Sequence, residues 1–253
     1  MIPENYHTLT CIYDVPVYSA PLTASTNFDA KIAAGSGEGE TIFLAEEQTA
    51  GRGRLGRSFF SPGGGIYLSF LLRPEMKAEE IPRLTTLAAV AVSEAIEEVA
   101  GCAPGIKWVN DVYIGGKKAV GILNEAGFRP DGGVSWVVTG IGINAYAPKG
   151  GFPEELADIA AAVWPEDNGR KNELTEEVIC RFLSYYRTLD FKSIHEKYKK
   201  RCFVPGKDIF VLRNGERFPA RALDIDEENH LLVRYPDGRE EALATGEVSI
   251  RLQ

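Results

Sequence analysis

One tract limits the choice of fold most. Gln48-Thr49-Ala50-Gly51-Arg52-Gly53-Arg54-Leu55-Gly56-Arg57 sets three arginines among three glycines. It comes just after the apolar run Thr41-Ile42-Phe43-Leu44-Ala45, whose β-branched and aromatic start predicts a buried strand. The loop is therefore held at one end by a sheet. Glycine lets a backbone pass close to a ligand. Arginine offers a fixed fork of donors for carboxylate or phosphate. The tract reads either as a wrap for an anionic ligand or as a solvated or RNA-binding arginine–glycine segment.

Charge separates these readings. The chain has 253 residues and a net charge of −8, and such an acidic protein is a poor general partner for nucleic acid. The arginine loop is then a local positive spot, which suits a small anion. With 44% hydrophobic and 25% charged residues, the profile is that of a globular protein with one large and one small domain. Cys11, Cys102, Cys180 and Cys202 are far apart and have no histidine at ligand spacing. They predict buried thiols in a reducing cytosol, without zinc or disulfides. The first residues lack a basic region followed by an apolar one, which predicts no signal peptide. No apolar run approaches the roughly 20 residues that cross a bilayer. The expectation is a cytoplasmic protein bound to neither membrane nor nucleic acid.

Along the chain, 6–18 predicts an opening strand broken at Pro16. Ser25-Thr26-Asn27 precedes the helix-prone Ala30–Ala34 and reads either as a helix cap or as short groups where polar ligand atoms dock. Ile66–Leu72 predicts a strand, and 81–100 a long helix with a core-facing stripe. Ile106–Ile114 reads as a strand with Lys107, Asn110 and Asp111 set inside it. It returns through Gly115-Gly116 to a strand over 117–125. Charges there either face solvent or are kept for a purpose. Gly140-Ile141-Gly142-Ile143-Asn144-Ala145 has a dinucleotide-binding spacing, but Pro148 and two further glycines forbid the helix that must follow. These glycines read instead as places where backbone approaches a ligand within a sheet, or as a bulge without function. A short helix is expected over 153–164 and one long helix over 173–202. Short strands with Asn214-Gly215 and Asp237-Gly238 turns then predict a small β-barrel from Val204 onward.

The sequence lacks a P-loop, His-Glu-x-x-His and Gly-x-Ser-x-Gly, and its three histidines give no good triad. Arg52, Arg54, Arg57, Lys107 and Lys118 remain around glycine-rich turns. Such cations stabilise the negative charge of acyl or phosphoryl transfer.

Taken together, several stretches carry a resemblance. They are Ser25-Thr26-Asn27, Gln48 to Arg57 with Phe59-Phe60-Ser61-Pro62, Lys107-Trp108-Val109-Asn110-Asp111, Lys118-Ala119-Val120-Gly121-Ile122-Leu123 and Gly140-Ile141-Gly142-Ile143-Asn144. In this order the chain resembles the biotin protein ligase family over nearly its whole length. The strands around Gly246-Glu247-Val248-Ser249 look like the family's C-terminal domain. The resemblance implies an α+β fold. A mixed sheet with packed helices, class II synthetase-like, would fill residues 1–203, and an SH3-like barrel 204–253. It implies that biotin and ATP give biotinyl-5′-adenylate and pyrophosphate, and that biotin then passes to a lysine of a biotin carboxyl carrier domain.

The site residues follow by the same resemblance. Ser25, Thr26, Asn27, Gln48, Gly51, Arg52, Gly53, Arg54, Lys118 and Gly121 would hold biotin. Arg52, Arg54, Arg57, Phe59, Lys107, Asn110 and Asn144 would hold ATP or the adenylate. Lys107, Arg54 and Asp111 would act in catalysis, with Asp111 either orienting Mg²⁺ or helping to deprotonate the acceptor lysine. A homodimer is compatible with this reading. The chain departs from the family at Val109, where proline is usual and valine is expected to keep extended geometry, and near Phe59, where a tryptophan is usual. Ser25 lies so near the start that a monofunctional enzyme without a DNA-binding domain is expected. The rivals are a lipoate or octanoate ligase or transferase, and a non-catalytic nucleotide-binding module.

Overall fold

A computed structural model of the chain describes residues 2–213, 215–244 and 247–250. The chain opens with the hairpin β1 (His7–Ile12) and β2 (Val15–Thr23), then α1 (Thr26–Gly35) and β3 (Thr41–Gln48). After the arginine loop come β4 (Ile66–Leu72) and α2 (Ile81–Ala100). β5 (Gly105–Lys107), β6 (Asp111–Ile114), β7 (Lys117–Phe128) and β8 (Val134–Ile143) complete one eight-stranded sheet in the order β1-β2-β3-β4-β8-β7-β6-β5. Only the β2–β3 pair is parallel among its pairings, so the sheet is mixed as expected.

Alternation divides this sheet. Leu68, Phe70, Leu72, Val120, Ile122, Val137 and Ile141 lie in one buried cluster with Leu84, Leu87 and Val92 of α2. α4 (Lys171–Thr188) and α5 (Phe191–Arg201) pack on the same side, after the short α3 (Glu154–Ala157). Phe182 of α4 stacks on Phe70 at 3.9 Å. On the other face, Ala20, Phe43, Leu71 and Val138 meet Ala30, Ala33 and Ala34 of α1. Small alanines let this ten-residue helix lie close against the sheet. α1 covers only part of that face, and the uncovered part holds the site.

The C-terminal strands β9 (Asp208–Arg213), β10 (Glu216–Ile225), β11 (Leu231–Arg234), β12 (Glu240–Leu243) and β13 (Glu247–Ile250) form a second sheet in the order β12-β11-β10-β9-β13. Their short antiparallel strands match the small β unit expected of the C-terminal segment, with the first strand starting at Asp208. The buried cluster on the α2 face continues into it. The Trp108 indole N–H donates to the Asn229 carbonyl at 3.0 Å, tying the two sheets together. Asn214 and Gly246 lie outside the described residues.

Several sequence expectations change. The opening segment breaks at Tyr13-Asp14, both at positive φ, while Pro16 stays in the ladder opposite Cys11. The 106–114 run is two strands. Trp108–Asn110 leave the ladder with a cis Trp108–Val109 peptide, so the extended geometry expected across Val109 is interrupted. The long C-terminal helix is split at Leu189, which adopts a left-handed conformation (φ 47°). The 153–164 helix stops at Ala157, because the chain beyond it bridges Lys118 and Tyr146 in parallel. Of the four cysteines only Cys202 is buried, and Cys11 is exposed on the edge strand.

Candidate active site

Strand register assembles the site. Tyr67 on β4 faces Gly142 on β8, Gly142 faces Gly121 on β7, Gly121 faces Asp111 on β6, and Asp111 faces Lys107 on β5. Register partners share a face, so these residues form one row across four boundaries. The next row is Ser69, Gly140 and Leu123, and the one after it is Leu71, Val138 and Glu125. Three glycines in adjoining rows leave a trough at the N-terminal end of α1. A Cβ on Gly142 would lie 2.5 Å from the Phe59 ring, and one on Gly140 would lie 1.9 Å from Asn27 Oδ1. The glycines admit the protein's own Phe59 and Asn27 side chains to the sheet, where the sequence suggested an approach to a ligand.

The trough floor is polar and buried. Thr26 N–H donates to Gln48 Oε1 at 2.9 Å, and the Thr26 hydroxyl donates to the same oxygen at 3.2 Å. Gln48 Nε2 donates to Ser61 Oγ, which donates to the Phe59 carbonyl. The Ser69 hydroxyl lies 2.7 Å from Thr26 Oγ1 and 2.6 Å from Asn27 Oδ1. Asn27 Nδ2 donates to Glu125 Oε2 at 3.0 Å, and Lys31 pairs with the other carboxylate oxygen at 2.5 Å. Ser25 stands at the N-cap, but its side chain makes no capping hydrogen bond. The capping alternative therefore fails for Ser25, and its buried hydroxyl lines the trough. Burial, with Glu47 and Glu46 nearby, pushes the Tyr67 hydroxyl well above its ordinary pKa. It donates to the Pro62 carbonyl at 2.6 Å.

The arginine loop folds back over this floor. Gly51 and Phe59 are joined by a backbone hydrogen bond, as are Gly53 and Arg57, and Arg52 bridges Ser58. Arg52 lies 5.8 Å from the Phe28 ring and lines the trough. Arg54 Nη1 donates to Asn110 Oδ1 at 2.9 Å. Asn110 in turn donates to the Ile122 carbonyl, so the loop is fastened to β7. Leu55 at its tip is 78% exposed. Phe59 lies across Gly121 and Gly142 and narrows the trough.

Cations gather beside Phe59. Lys118 Nζ is 2.7 Å from Asp111 and 5.9 Å from the Phe59 ring centroid. Lys107 Nζ is 5.8 Å from the Tyr113 ring centroid. Burial, with the Asp111 carboxylate adding to it, pushes the Tyr113 hydroxyl up to about 12. Lys107 and Asp111 are both half-buried, so neither simply faces solvent.

Of the expected site residues, Ser25, Thr26, Asn27, Gln48, Arg52, Phe59 and Gly121 line the trough directly. Gly51 packs beneath Phe59 and Ser61. Gly53, Arg54 and Arg57 belong to the loop above, and Lys107, Asn110, Asp111 and Lys118 to the adjoining hairpin. Asn144 stands apart. Its side chain donates to the Ala161 carbonyl and fastens the 160–164 segment to the sheet. Tyr67, Ser69, Leu123 and Glu125 were not expected. The signal was alternation: Tyr67 and Ser69 share one face of an otherwise apolar strand, and Gly121, Leu123 and Glu125 share another.

An eight-stranded mixed sheet with this trough, followed by a small β unit, is the architecture of biotin protein ligases. The chain superposes on the Aquifex aeolicus biotin protein ligase in complex with biotin and ATP, with a TM-score of 0.75 and 28% identity. The match covers 94% of this chain and 99% of that one. The model of the biotin/lipoate A/B protein ligase family matches residues 19–144. A biotin–[acetyl-CoA-carboxylase] ligase of Paracoccus denitrificans is 34% identical over 86% of this chain and 94% of its own length. The bifunctional ligase/repressor BirA of Bacillus subtilis is 38% identical over 78% of this chain, which spans 62% of that protein. The chain belongs to the biotin/lipoate A/B protein ligase family, and within it to the biotin protein ligases.

Proposed function

We propose that the chain is an ATP-dependent biotin protein ligase, with a catalytic unit over residues 1–203 and a β-barrel unit over 204–253. Biotin's carboxylate attacks the α-phosphorus of ATP and releases pyrophosphate. The resulting mixed anhydride is then attacked by a lysine amine of a biotin carboxyl carrier domain, releasing AMP. The observation that carries this reading is the trough itself: a buried polar floor at one end and a cluster of cations at the other, without a candidate histidine-based triad.

Each part has a task. The Thr26–Gln48–Asn27 floor suits the polar ureido ring, while Leu123 and the Tyr67 ring suit the apolar stem. Arg52, Arg54, Lys107 and Lys118 face the negative charge that develops at carboxylate and phosphate. Phe59 offers a ring for adenine, with Arg57 nearby for phosphate. The tether between Asn144 and Ala161 makes Asn144 a support for that end of the sheet, although family resemblance assigns it to adenine. Phe59 lies across Gly121 and Gly142, so its displacement with the loop would widen the trough for a bicyclic acid, and their return would cover it. Closure would keep water from the anhydride.

Asp111 is ion-paired with Lys118 and belongs to no group of three or more His, Cys, Asp or Glu ligands among the described residues. A resident magnesium ion does not fit this donor set, and no step here runs through one. Any Mg²⁺ would enter on the nucleotide's own phosphates. Asp111 is better suited to holding Lys118 in place. A cytoplasmic location and a small anionic acid as substrate complete the proposal. Among the described residues no helix is long and apolar enough to cross a membrane.

The test is exchange of labelled pyrophosphate into ATP. Exchange that requires biotin supports the proposal. Exchange that requires lipoate or octanoate supports the rival within the same family. No exchange with any of these acids overturns the ligase assignment.

A further inference from the structure

Asn27 is the trough residue whose amide is held by a charged side chain from outside the trough. Its Nδ2 donates to Glu125 Oε2 at 3.0 Å, and it makes a longer contact, 3.5 Å, with the Leu123 carbonyl at the trough's edge. An ionised carboxylate only accepts hydrogen bonds, so a flipped amide would set oxygen against oxygen. Glu125 is held in turn by Lys31 at 2.5 Å, with both side chains about three-quarters covered. Asn27 Oδ1 is therefore turned to the trough, above Gly140. There it lies 2.6 Å from the Ser69 hydroxyl, which is also 2.7 Å from Thr26 Oγ1. Ser69 has one proton for two acceptors, and the Thr26 proton is directed to Gln48. The floor is short of one donor, and an unpaired buried acceptor is costly.

We propose that Glu125, fixed by Lys31, is a positioning residue that turns the Asn27 carbonyl to the trough and selects an acid whose ring brings its own N–H. This rests on the ligase reading above and deepens it. A ureido ring supplies the missing donor, and a dithiolane ring cannot.

Glu125→Gln tests this with almost no change of shape. Lys31 can only donate, so the new carboxamide gives it its oxygen and turns NH₂ toward Asn27. The Asn27 amide then inverts, giving up its long 3.5 Å contact with the Leu123 carbonyl for the stronger bond to the carboxamide, and N–H meets N–H in the trough. In biotin-dependent pyrophosphate exchange, KM for biotin is expected to rise by about tenfold or more, with KM for ATP within about twofold of wild type. A biotin analogue with ring oxygen in place of one ureido N–H should lose less. Lys31→Met/Glu125→Gln frees the carboxamide to turn back and should recover most of the loss. Glu125→Ala, which releases Asn27 without inverting it, should fall between. A simple tether between α1 and β7 would instead lower the thermal midpoint in all these variants without changing the preference between analogues. An unchanged KM for biotin in Glu125→Gln, or equal losses in the single and double variants for both acids, overturns the proposal. If the wild type shows no biotin-dependent exchange, the ligase reading fails instead.

Discussion

The floor of the trough and the loop above it use the same kinds of polar group in opposite ways. On the floor, Thr26, Asn27 and Ser69 are buried, and each hydrogen bond fixes the next group's orientation. In the loop, Arg52 lies beside the Phe28 ring, Arg54 donates to Asn110, and Leu55 projects into solvent. A buried network cannot shift one member without leaving another unpaired, so it is suited to recognition. A glycine-rich loop with an exposed tip, tied across the trough by side chains, is suited to admitting a substrate and shielding an intermediate. The comparison predicts that floor variants damage binding of the acid, loop variants damage retention of the adenylate, and the cations beside the loop damage the chemistry.

The largest effect is expected at Lys107. Lys107→Ala should lower the adenylation rate about a hundredfold or more, measured by single-turnover formation of biotinyl-adenylate. A wild-type rate would remove Lys107 from the chemical step. Next comes the floor. Gly140→Ala puts a methyl 1.9 Å from Asn27 Oδ1 and should raise KM for biotin about tenfold while ATP binding holds, as titration calorimetry can check. Equal losses for both substrates would erase the division between floor and loop. Arg54→Ala should leave the fold intact and release biotinyl-adenylate up to about tenfold faster, because the loop loses its tie to Asn110. Unchanged release in a trapping assay would deny the loop its shielding role.

The smallest effect concerns stability. Burial and Asp111 hold Tyr113 at about 12, against 10.0 for an ordinary tyrosine. A raised pKa of this kind favours the native state fully below pH 10, and the contribution fades as pH climbs toward 12. Tyr113→Phe should flatten the loss of thermal midpoint across that window. An identical pH profile would show that other groups govern it.

How much was legible beforehand depends on distance along the chain. Local patterns were readable: the apolar run before the arginines, Gly115-Gly116 as a hairpin turn, and the stripe of α2. Both glycines do take positive φ, as that turn demands. Family resemblance located most of the loop and floor. What stayed hidden depended on register between distant strands. Nothing local to Glu125 says that it reaches Asn27, 98 residues away, and Tyr67 and Ser69 looked like ordinary core until β8 placed glycines opposite them. The C-terminal helix break was hidden because Leu189-Asp190 carries no glycine or proline to announce it.

The most direct test of the account is a crystal structure of the chain with biotin and a non-hydrolysable ATP analogue. The account predicts the ureido ring hydrogen-bonded to Asn27 and Gln48, the carboxylate under Arg52, and Phe59 displaced from Gly121 and Gly142 to pack on the nucleotide. Biotin bound away from the three glycines, with residues 52–57 turned out to solvent, would contradict it.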